Sequence, residues 1–229
     1  MELFFDPEIE KTLTLNEQES RHCISVLRHK ADDEITIADG MGNYFKCIII
    51  KAHPKRCGVE IVSKETYQRR NFNIHIAIAP TKNIDRTEWF IEKAVEIGAE
   101  KITLIKCDHS ERKKVRIDRL EKIVVSATKQ SLKAYKPELS DLTGFREFVQ
   151  SEGEGFIAHC NSDGLPHLKR VYQPETNALL LIGPEGDFSP AEVEYAIENG
   201  FKEVSLGSSR LRTETAGIVG CTILNMMND

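Results

Sequence analysis

Two loops near the carboxyl end of the chain combine glycine with charged residues that can take part in group transfer. The first loop is residues 183–188 (GPEGDF), and the second is residues 207–217 (GSSRLRTETAG). Glycine lets the backbone approach a ligand closely, a guanidinium can stabilise negative charge, and a carboxylate can accept a proton. The two loops could close around one small molecule, although either loop alone is more typical of an ordinary turn.

The first loop is placed by a strand before it and a helix after it. Ala178–Ile182 is a short apolar run typical of a buried strand. Ser189, Pro190 and Glu192 have the spacing of a helix N-cap, its favoured first-turn proline and a capping-box glutamate. The loop therefore lies at the carboxyl edge of a sheet, where open α/β sheets bind their ligands.

Strands and helices alternate from about residue 71 onward. Asp85 is the predicted N-cap of one helix, with Glu88 three residues later, and Gly98 is its stop signal. Such alternation predicts an α/β domain with a parallel sheet covered by helices on both faces. The predicted strands are 74–79, 102–107, 156–160, 178–182 and 203–206, and the predicted helices are 85–97, 118–134 and 218–227.

The first seventy residues have a different rhythm. Short β-type runs at 34–38, 44–50 and 59–62 are separated by turn residues, which is typical of a small barrel or sandwich. One helix is predicted from Asn16 or Glu17 through His29, with Cys23, Val26 and Leu27 on one face. We therefore predict two domains, residues 1–70 and 71–229.

Positive charge is local in this chain, whose net charge is −5. Residues 101–136 hold 11 Lys and Arg against 4 Asp and Glu, and a helical stripe is predicted there from Lys122, Lys129, Lys133 and Lys136. This segment is a candidate footprint for nucleic-acid phosphates, and a solvated helix face is an equal alternative. For a weaker cluster on and after the N-terminal helix, an ordinary solvent face is favoured: Arg21, His22, Arg28, His29 and Lys30.

Several function classes are disfavoured because their motifs do not occur. The sequence contains no G-x-G-x-x-G after the first α/β strand, no phosphate-binding G-x-x-x-x-G-K-[ST], no H-E-x-x-H and no G-x-S-x-G. Six dispersed cysteines without a C-x-x-C pair argue against a zinc site and a disulfide framework. No apolar run reaches the ~18 residues of a membrane span, and no signal peptide is apparent, so we expect a cytoplasmic protein without a metal.

Taken together, six segments resemble the RsmE-type methyltransferases of the SPOUT superfamily, which methylate uridine N3 in small-subunit (16S) ribosomal RNA. Two departures are Asp187, where a glycine is usual, and Lys129, where many members carry glutamate. The similarity spans nearly the whole chain, in segments 22–42, 88–105, 110–112, 129–139, 179–193 and 204–218.

The resemblance implies a fold, a cofactor and partners. The fold would be a SPOUT-type parallel sheet threaded into a deep trefoil knot, with an N-terminal PUA-like β-barrel that binds RNA. The cofactor would be S-adenosyl-L-methionine (AdoMet), and the substrate 16S ribosomal RNA or the small ribosomal subunit. A homodimer is expected, with Ile218, Ile223 and Leu224 of the terminal helix at its contact, and burial in the chain's own core is an equal alternative for each of them.

The resemblance and the chemistry of N-methylation together nominate site residues. For catalysis we favour Arg212, with Arg210 second, as the group that stabilises the uracil anion, and Glu185 or Glu214 as proton acceptor. A loop-fixing Arg212–Glu214 ion pair is the equal alternative. The cofactor-binding candidates are Ala79, Pro80, Leu181, Ile182, Gly183, Pro184, Gly186, Leu206, Gly207, Leu211, Arg212, Thr213 and Thr215. The RNA-binding candidates are Arg21, Arg28, Lys30, Arg112, Lys113, Lys114, Lys129 and Lys133.

Other readings of the same residues stay open. The nearest is a SPOUT enzyme that methylates a ribose 2′-hydroxyl. A second is a non-catalytic RNA-binding factor for ribosome assembly. A small nucleotide-binding α/β protein is the least favoured, because the phosphate-binding motifs do not occur.

Overall fold

The elements of the first part of the chain form a four-stranded sheet with short helices. In the computed structural model, which describes residues 2–162 and 164–228, β1 runs parallel to β2, and β2, β3 and β4 are antiparallel neighbours in the order β1-β2-β3-β4. The elements are β1 (Leu3–Phe5), α1 (Ile9–Thr12), α2 (Glu17–Arg21), a π-helix (His22–Val26), β2 (Glu34–Ala38), β3 (Asn43–Lys51) and β4 (Gly58–Thr66).

The N-terminal helix is shorter than predicted. Asn16 caps it by accepting a hydrogen bond from the Glu19 N–H, as its sequence position indicates. After α2 the chain widens into the π-helix, and Arg28 adopts a left-handed φ of 63°, which a right-handed helix cannot continue. Cys23 is buried, whereas Val26, which was predicted to share its face of the helix, is 62% exposed.

The second part of the chain forms a six-stranded parallel sheet in the order β10-β8-β9-β5-β6-β7. The sequence analysis did not predict β7 or the helix after it, because β7 is a run of mostly polar residues. The elements are β5 (Ile74–Ile78), α3 (Ile84–Ile97), β6 (Lys101–Lys106), α4 (Ile117–Gln130), β7 (Glu138–Gly144), α5 (Phe145–Glu152), β8 (Gly155–Ala158), α6 (Leu168–Val171), β9 (Ala178–Ile182), α7 (Pro190–Glu198), β10 (Phe201–Val204) and α8 (Thr213–Met226).

Neighbouring residues of strand β9 show that helices cover both faces of this sheet. Leu181 belongs to a buried cluster with Phe148 of α5 and Val193 of α7. Leu180 points the other way, against Gly220 of α8, where an added Cβ would collide with its side chain. Successive strand residues face opposite sides, so both faces need apolar cover. The prediction of a parallel α/β sheet with helices on its two faces is confirmed.

The two parts do not divide at a single point in the sequence. One compact unit holds the residues up to Arg69 together with Val125–Lys136, and the other holds Arg70–Val124 and the residues from Pro137 onward. A first domain limited to residues 1–70 therefore omits Val125–Lys136. The reason is a contact between segments that are distant in sequence: the Tyr44 hydroxyl donates to the Leu132 carbonyl at 2.6 Å, within the first unit.

Helix α4 ends earlier than the charge pattern indicates. It stops at Gln130, and Leu132 has a left-handed φ of 51°. Only Lys122 and Lys129 of the four predicted lysines lie within the helix. The predicted helical stripe of four lysines is therefore wrong, because the chain leaves the helix to pair with the first unit.

The N-cap of helix α3 lies two residues before the predicted one, Asp85. Asn83 is the N-cap and accepts a hydrogen bond from the Asp85 N–H at 3.2 Å. Glu88 forms an ion pair with Arg119 at 2.6 Å instead of completing a capping box. Gly98 ends the helix with a φ of 123°, as predicted.

Helix α8 also begins early and changes the extent of the second loop. Its first residue is Thr213, with Arg212 as N-cap, whereas the sequence predicted a start at Ile218. The second loop therefore spans residues 207–212. Leu224 is fully buried within the chain, so its predicted place at a dimer contact is wrong. Within residues 2–162 and 164–228, no helix is long and apolar enough to cross a membrane.

Candidate functional site

A cavity of about 430 Å³ opens in the second unit where β8, β9 and β10 end. Its position matches the predicted ligand-binding edge of the sheet, because parallel strands bring their carboxyl ends to one side. Both loops take part in its wall. The lining residues are Arg86, Ala158, His159, Cys160, Ile182, Gly183, Pro184, Glu185, Asp187, Ser205, Leu206, Gly207, Ser209, Arg210, Leu211, Arg212, Thr213 and Ala216.

The cavity brings together most of the cofactor-binding candidates. Ile182, Gly183, Pro184, Leu206, Gly207, Leu211, Arg212 and Thr213 are among its lining residues. Ala79, Pro80, Leu181, Gly186 and Thr215 are not, and Leu181 faces the buried cluster between sheet and helices. The cofactor-binding roles of all thirteen residues stay predictions.

The first loop, residues 183–188, is held in one shape by its own hydrogen bonds. The Asp187 N–H donates to the Pro184 carbonyl at 2.9 Å and closes a turn. Asp187 has a φ of 63°, a conformation that glycine adopts freely and aspartate tolerates. Its carboxylate accepts hydrogen bonds from the N–H groups of Cys160 and Phe188, at 2.9 and 2.8 Å. The aspartate found where a glycine is usual therefore fits the loop.

His109 supports the same loop from outside the cavity. Its Nδ1 lies 3.0 Å from the carbonyl oxygens of both Gly186 and Asp187. Two carbonyls can only accept, so Nδ1 carries a proton and donates to them. The carbonyl groups of the first loop are thus fixed by a side chain more than seventy residues earlier.

The first turn of helix α7, which follows the first loop, is also held by side-chain hydrogen bonds. Ser189 and Glu192 form the predicted capping box, with Pro190 in the first turn, and this prediction is confirmed. The Ser189 hydroxyl also donates to the Asp108 carboxylate at 2.7 Å, and Glu192 accepts from the Asp108 N–H at 2.9 Å. Burial, together with these two carboxylates, raises the pKa of the adjacent Cys107 thiol, which stays protonated.

Residues 81–82 lie beside the first loop and are bonded to it through Glu185. Glu185 lines the cavity and accepts a hydrogen bond from the Lys82 N–H at 2.9 Å. Arg112 donates to the carbonyl oxygens of Thr81 and Lys82, at 3.0 and 2.5 Å. Arg112 therefore uses donors to fix the backbone here, and its predicted contact with RNA stays a prediction.

The second loop, residues 207–212, is built differently. Gly207 has a φ of 134°, and the Ser205 hydroxyl bonds both its N–H and its carbonyl, at 3.1 and 3.0 Å. Residues 207–210 and Arg212 are exposed, and Arg210 and Arg212 line the cavity. Two guanidinium groups therefore stand at the solvent side of the cavity.

Glu214 sits in the first turn of α8, next to an arginine that the sequence analysis missed. Its side chain is buried, and one carboxylate oxygen lies 3.8 Å from the Arg86 guanidinium, while the other has no hydrogen-bond partner. Arg86 lines the cavity and Glu214 does not. The ion pair that we predicted as an alternative for Glu214 thus forms with Arg86, whereas Arg212 is its helix N-cap neighbour.

The cavity wall contains two further residues without a sequence signal, on the segment whose Cys160 N–H bonds Asp187 of the first loop. His159 donates from Nε2 to Glu203 at 3.0 Å and accepts at Nδ1 from the Asn161 N–H at 3.1 Å. One donor and one acceptor describe a neutral imidazole, so His159 fixes the wall without a charge. Cys160 beside it is exposed and lines the cavity.

The RNA-binding candidates of the first unit differ in how free their charges are. The Lys129 ammonium bonds both carboxylate oxygens of Glu19 at 2.7 and 2.8 Å, and its side chain is only 17% exposed. Arg21, Arg28 and Lys30 are exposed. Lys133 is half-buried, and in the other unit Lys113 and Lys114 are exposed. RNA binding by these residues stays a prediction. No metal-binding group of three or more His, Cys, Asp or Glu occurs in the described part of the chain.

One family model covers the segment that holds both the parallel sheet and the cavity at its carboxyl edge. Residues 68–225 match the model of the RNA methyltransferase domain, and residues 15–62 match that of the RNA methyltransferase PUA domain. The chain belongs to this RNA methyltransferase family. A PUA domain is thus present in the first unit, as the resemblance implied.

Individual relatives narrow the family further. The chain is 29% identical to ribosomal RNA small subunit methyltransferase E of Buchnera aphidicola (Acyrthosiphon pisum symbiont), over 96% of this chain and 92% of the relative. The Bacillus subtilis protein of the same name is 26% identical, over 95% and 91%. The resemblance to RsmE-type enzymes is confirmed.

Two solved structures agree with this assignment. A probable rRNA-methyltransferase from Porphyromonas gingivalis is 40% identical, with a TM-score of 0.93 over 100% of this chain and 98% of that one. The Neisseria gonorrhoeae ribosomal RNA small subunit methyltransferase E, bound to S-adenosyl methionine, is 26% identical, with a TM-score of 0.89 over 100% and 98%.

Proposed function

We propose that the protein transfers a methyl group from AdoMet to N3 of a uridine in 16S ribosomal RNA. The observation that carries this proposal is the cavity of about 430 Å³ enclosed by both glycine loops and lined by three arginines. Its volume suits a cofactor-sized ligand. The Neisseria relative was solved with S-adenosyl methionine bound, which supports the choice of cofactor.

The cavity wall offers both halves of a cofactor site. Ile182, Leu206 and Leu211 supply apolar surface for an adenine ring, and the backbone of Gly183 and Gly207 supplies close-approach hydrogen-bonding groups. Bound there, the cofactor would supply an electrophilic methyl group. We assign Ala79, Pro80, Leu181 and Gly186 to the layer behind the wall: the Ala79 N–H, for example, donates to the Ile182 carbonyl at 3.0 Å.

The arginines suit the charge that develops on a uracil ring. N3 becomes nucleophilic only after its proton leaves, and the negative charge then spreads to the flanking carbonyl oxygens. A guanidinium with free donors near these oxygens lowers the barrier. Arg212 is exposed, lines the cavity and begins helix α8, so we assign it this role, with Arg210 second.

The two glutamates are unequally placed to accept the proton. Glu185 is exposed and lines the cavity, so a substrate proton can reach it directly or through water. Glu214 is buried and does not line the cavity. We therefore assign proton acceptance to Glu185 and give Glu214 a positioning role, in which it holds the Arg86 guanidinium beside the cavity.

The remaining properties implied by the resemblance are part of this proposal. We propose a trefoil knot in the second unit, a barrel closure of the N-terminal sheet, a cytoplasmic location, and a homodimer that uses the half-exposed Ile218 and Ile223. The basic candidates would contact RNA phosphates, which requires binding that weakens steeply with salt. A salt-independent affinity would contradict them.

The decisive experiment uses labelled AdoMet and small-subunit RNA that lacks the modification, followed by nucleoside analysis. We expect N3-methyluridine as the product. A ribose 2′-O-methyl product would contradict the proposal and would indicate a SPOUT enzyme that methylates a ribose 2′-hydroxyl. Binding of RNA without transfer of label, and without heat on titration with AdoMet, would instead indicate a non-catalytic assembly factor.

Replacing Arg212 with alanine tests its role within that assay. We expect transfer to fall by about a hundredfold, as for loss of one donor to a developing anion, with AdoMet affinity retained. The exposed Arg170→Ala is the matched control and should keep full activity. Unchanged turnover would remove Arg212 from the chemistry, and lost cofactor binding would make its role structural.

A further inference from the structure

Three chain segments of the first unit meet at Gly42. Its N–H donates to the Ala134 carbonyl at 2.9 Å, and its carbonyl accepts from the Tyr67 N–H at 2.8 Å. Gly42 has a φ of 101°, and a Cβ there would collide with the Tyr135 ring. Only glycine fits at this point, because both the conformation and the close contact exclude a side chain.

This junction brings aromatic and apolar side chains to the surface. Tyr67 is 41% exposed, and its ring centroid lies 5.1 Å from that of the buried Tyr44. The Tyr135 hydroxyl donates to the Tyr67 carbonyl at 2.9 Å, and the Arg69 guanidinium lies over the Tyr135 ring at 5.7 Å. The tyrosine surface, as we name it, consists of Met41, Tyr67, Arg69, Leu132, Lys133 and Tyr135.

The composition of this surface is unusual for a plain solvent face. Met41 and Leu132 are 60% and 45% exposed, so several large apolar groups lie together in water at one place. Arg69 and Lys133 add positive charge, against the carboxylate of Glu65. That carboxylate bonds the Tyr67 hydroxyl and raises the pKa of Tyr67, so the ring stays neutral.

Aromatic rings interleaved with cations are the usual means of holding unpaired nucleic acid. Every base has a π-face that stacks on tyrosine, an arginine plane can stack on the other side, and lysine contacts phosphate. The Arg69 guanidinium already lies over the Tyr135 ring as a cation–π partner, 5.7 Å from the ring centroid. Net positive charge among these cations complements RNA and would repel a basic protein partner.

We propose that the tyrosine surface binds an unpaired nucleobase and an adjacent phosphate of the RNA substrate. The proposal deepens the proposed function and rests on it for the identity of the RNA. Of its residues, Tyr67, Arg69, Leu132 and Tyr135 lie outside the matched PUA segment 15–62 and are not among the basic candidates named earlier. The segment after α4 acquires a function: it carries Lys133 and Tyr135 to the first unit.

The test is binding of the full-length protein to a fluorescently labelled, unmodified single-stranded oligonucleotide of small-subunit ribosomal RNA. Tyr67→Leu and Tyr135→Leu should each weaken binding about tenfold, whereas Tyr67→Phe and Tyr135→Phe, which keep the ring, should stay within about twofold. Lys133→Gln should lower the salt slope of binding by about 0.7, the value for one phosphate of a single strand. Ile50→Ala, at an exposed site of β3, should change nothing.

Two results would overturn the proposal. One is unchanged affinity in both leucine variants. The other is equal loss in the leucine and phenylalanine variants, which would indicate disrupted packing instead of lost stacking. Thermal unfolding and AdoMet titration of each variant report whether the fold and the second unit are intact.

Methyl-transfer assays of the same variants separate this proposal from the proposed function. If the wild-type protein binds the oligonucleotide through these rings but modifies no RNA, the proposed function fails and the tyrosine surface stands. If RNA is methylated and the leucine variants keep the KM for RNA, the tyrosine surface fails and the proposed function stands. If the tyrosine surface binds a protein in place of RNA, the proposal for that surface is also overturned.

Discussion

The two glycine loops that enclose the cavity each begin with glycine after a strand, but they differ in construction. In the first loop, Gly183, Pro184 and Phe188 are buried, and side chains from elsewhere hold its backbone. In the second loop, residues 207–210 are exposed, and a Cβ at Gly207 would meet nothing within 4 Å. The first loop is therefore a preformed wall, and the second can change shape at little cost in free energy.

Hydrogen exchange gives the largest expected contrast between the loops. The amides of Asp187 and Phe188 donate within the first loop, at 2.9 and 2.8 Å, whereas those of residues 208–210 belong to exposed positions. Because amides that open only with the core exchange far more slowly, we expect at least about a hundredfold slower exchange in the first loop. Added AdoMet should slow amide exchange more in the second loop than in the first. Equal rates in the two loops would end the comparison.

Gly183→Val is the next strongest test, because a side chain there must displace the loop. A Cβ at Gly183 would lie 3.1 Å from the Phe188 ring, which is tighter than ordinary contact, and it would also face the cavity. Overpacking of this kind costs about 1–3 kcal/mol, so AdoMet affinity measured by calorimetry should fall by up to about a hundredfold.

The control for Gly183→Val lies in the second loop. Ser208 is exposed and does not line the cavity, so Ser208→Ala should leave affinity and stability within about 0.5 kcal/mol. A wild-type affinity in Gly183→Val would show that the first loop yields as easily as the second.

Protonation of His75 should weaken the sheet that carries the first loop. His75 pairs with Leu179 of β9, and its Nε2 lies 2.8 Å from the Thr103 hydroxyl. Burial, with a smaller effect of Lys101, lowers the pKa of His75 to about 3. The unfolded state then binds a proton that the folded state does not, between about pH 6.5 and 3.

The sign of this effect is fixed by that difference. As pH falls below about 6.5, the free energy of unfolding should drop by up to about 1.4 kcal/mol per pH unit, and flatten near pH 3. Urea unfolding of wild type and His75→Asn at several pH values isolates the contribution, since other groups cancel in the difference. His53→Asn, at an exposed site, serves as control. Parallel curves for wild type and His75→Asn would refute it.

Ser189→Ala should give the smallest effect of these four tests, the control variants aside. It removes the N-cap of α7 and the hydrogen bond to Asp108, so the free energy of unfolding should fall by about 1 kcal/mol. Ser151→Ala, whose hydroxyl donates to the Phe148 carbonyl at a helix end, should cost less. If both variants lose the same stability, the cap does not brace the first loop.

Local signals in the sequence predicted the elements that place the cavity. Ala178–Ile182 and the capping box at Ser189 were read correctly, because an apolar run and a cap are properties of neighbouring residues. The polar strand β7 was missed, since only Leu139 among its residues is buried and its pairing with β6 is a tertiary contact. The end of α4 was missed for a similar reason: its stop depends on pairing with Gly42 and Tyr44, far away in sequence.

The site shows the same limit. Eight of the thirteen cofactor candidates line the cavity, because glycine loops after strands mark the ligand edge of a sheet. Arg86 and His159 were not found, since neither belongs to a recognisable spacing. Their roles arise from tertiary contacts, with Glu214 for the arginine and Glu203 for the histidine.

The return of residues 125–136 to the first unit has a consequence for gene fragments. A polypeptide cut after Arg69 would lack the partners of the Gly42 N–H and the Tyr44 hydroxyl, and would uncover Leu3 and Ala38 beneath them. Grafting the RNA-binding module of one relative onto another must therefore transplant two separate stretches. Among homologues, substitutions near positions 40–44 should covary with those at 131–136.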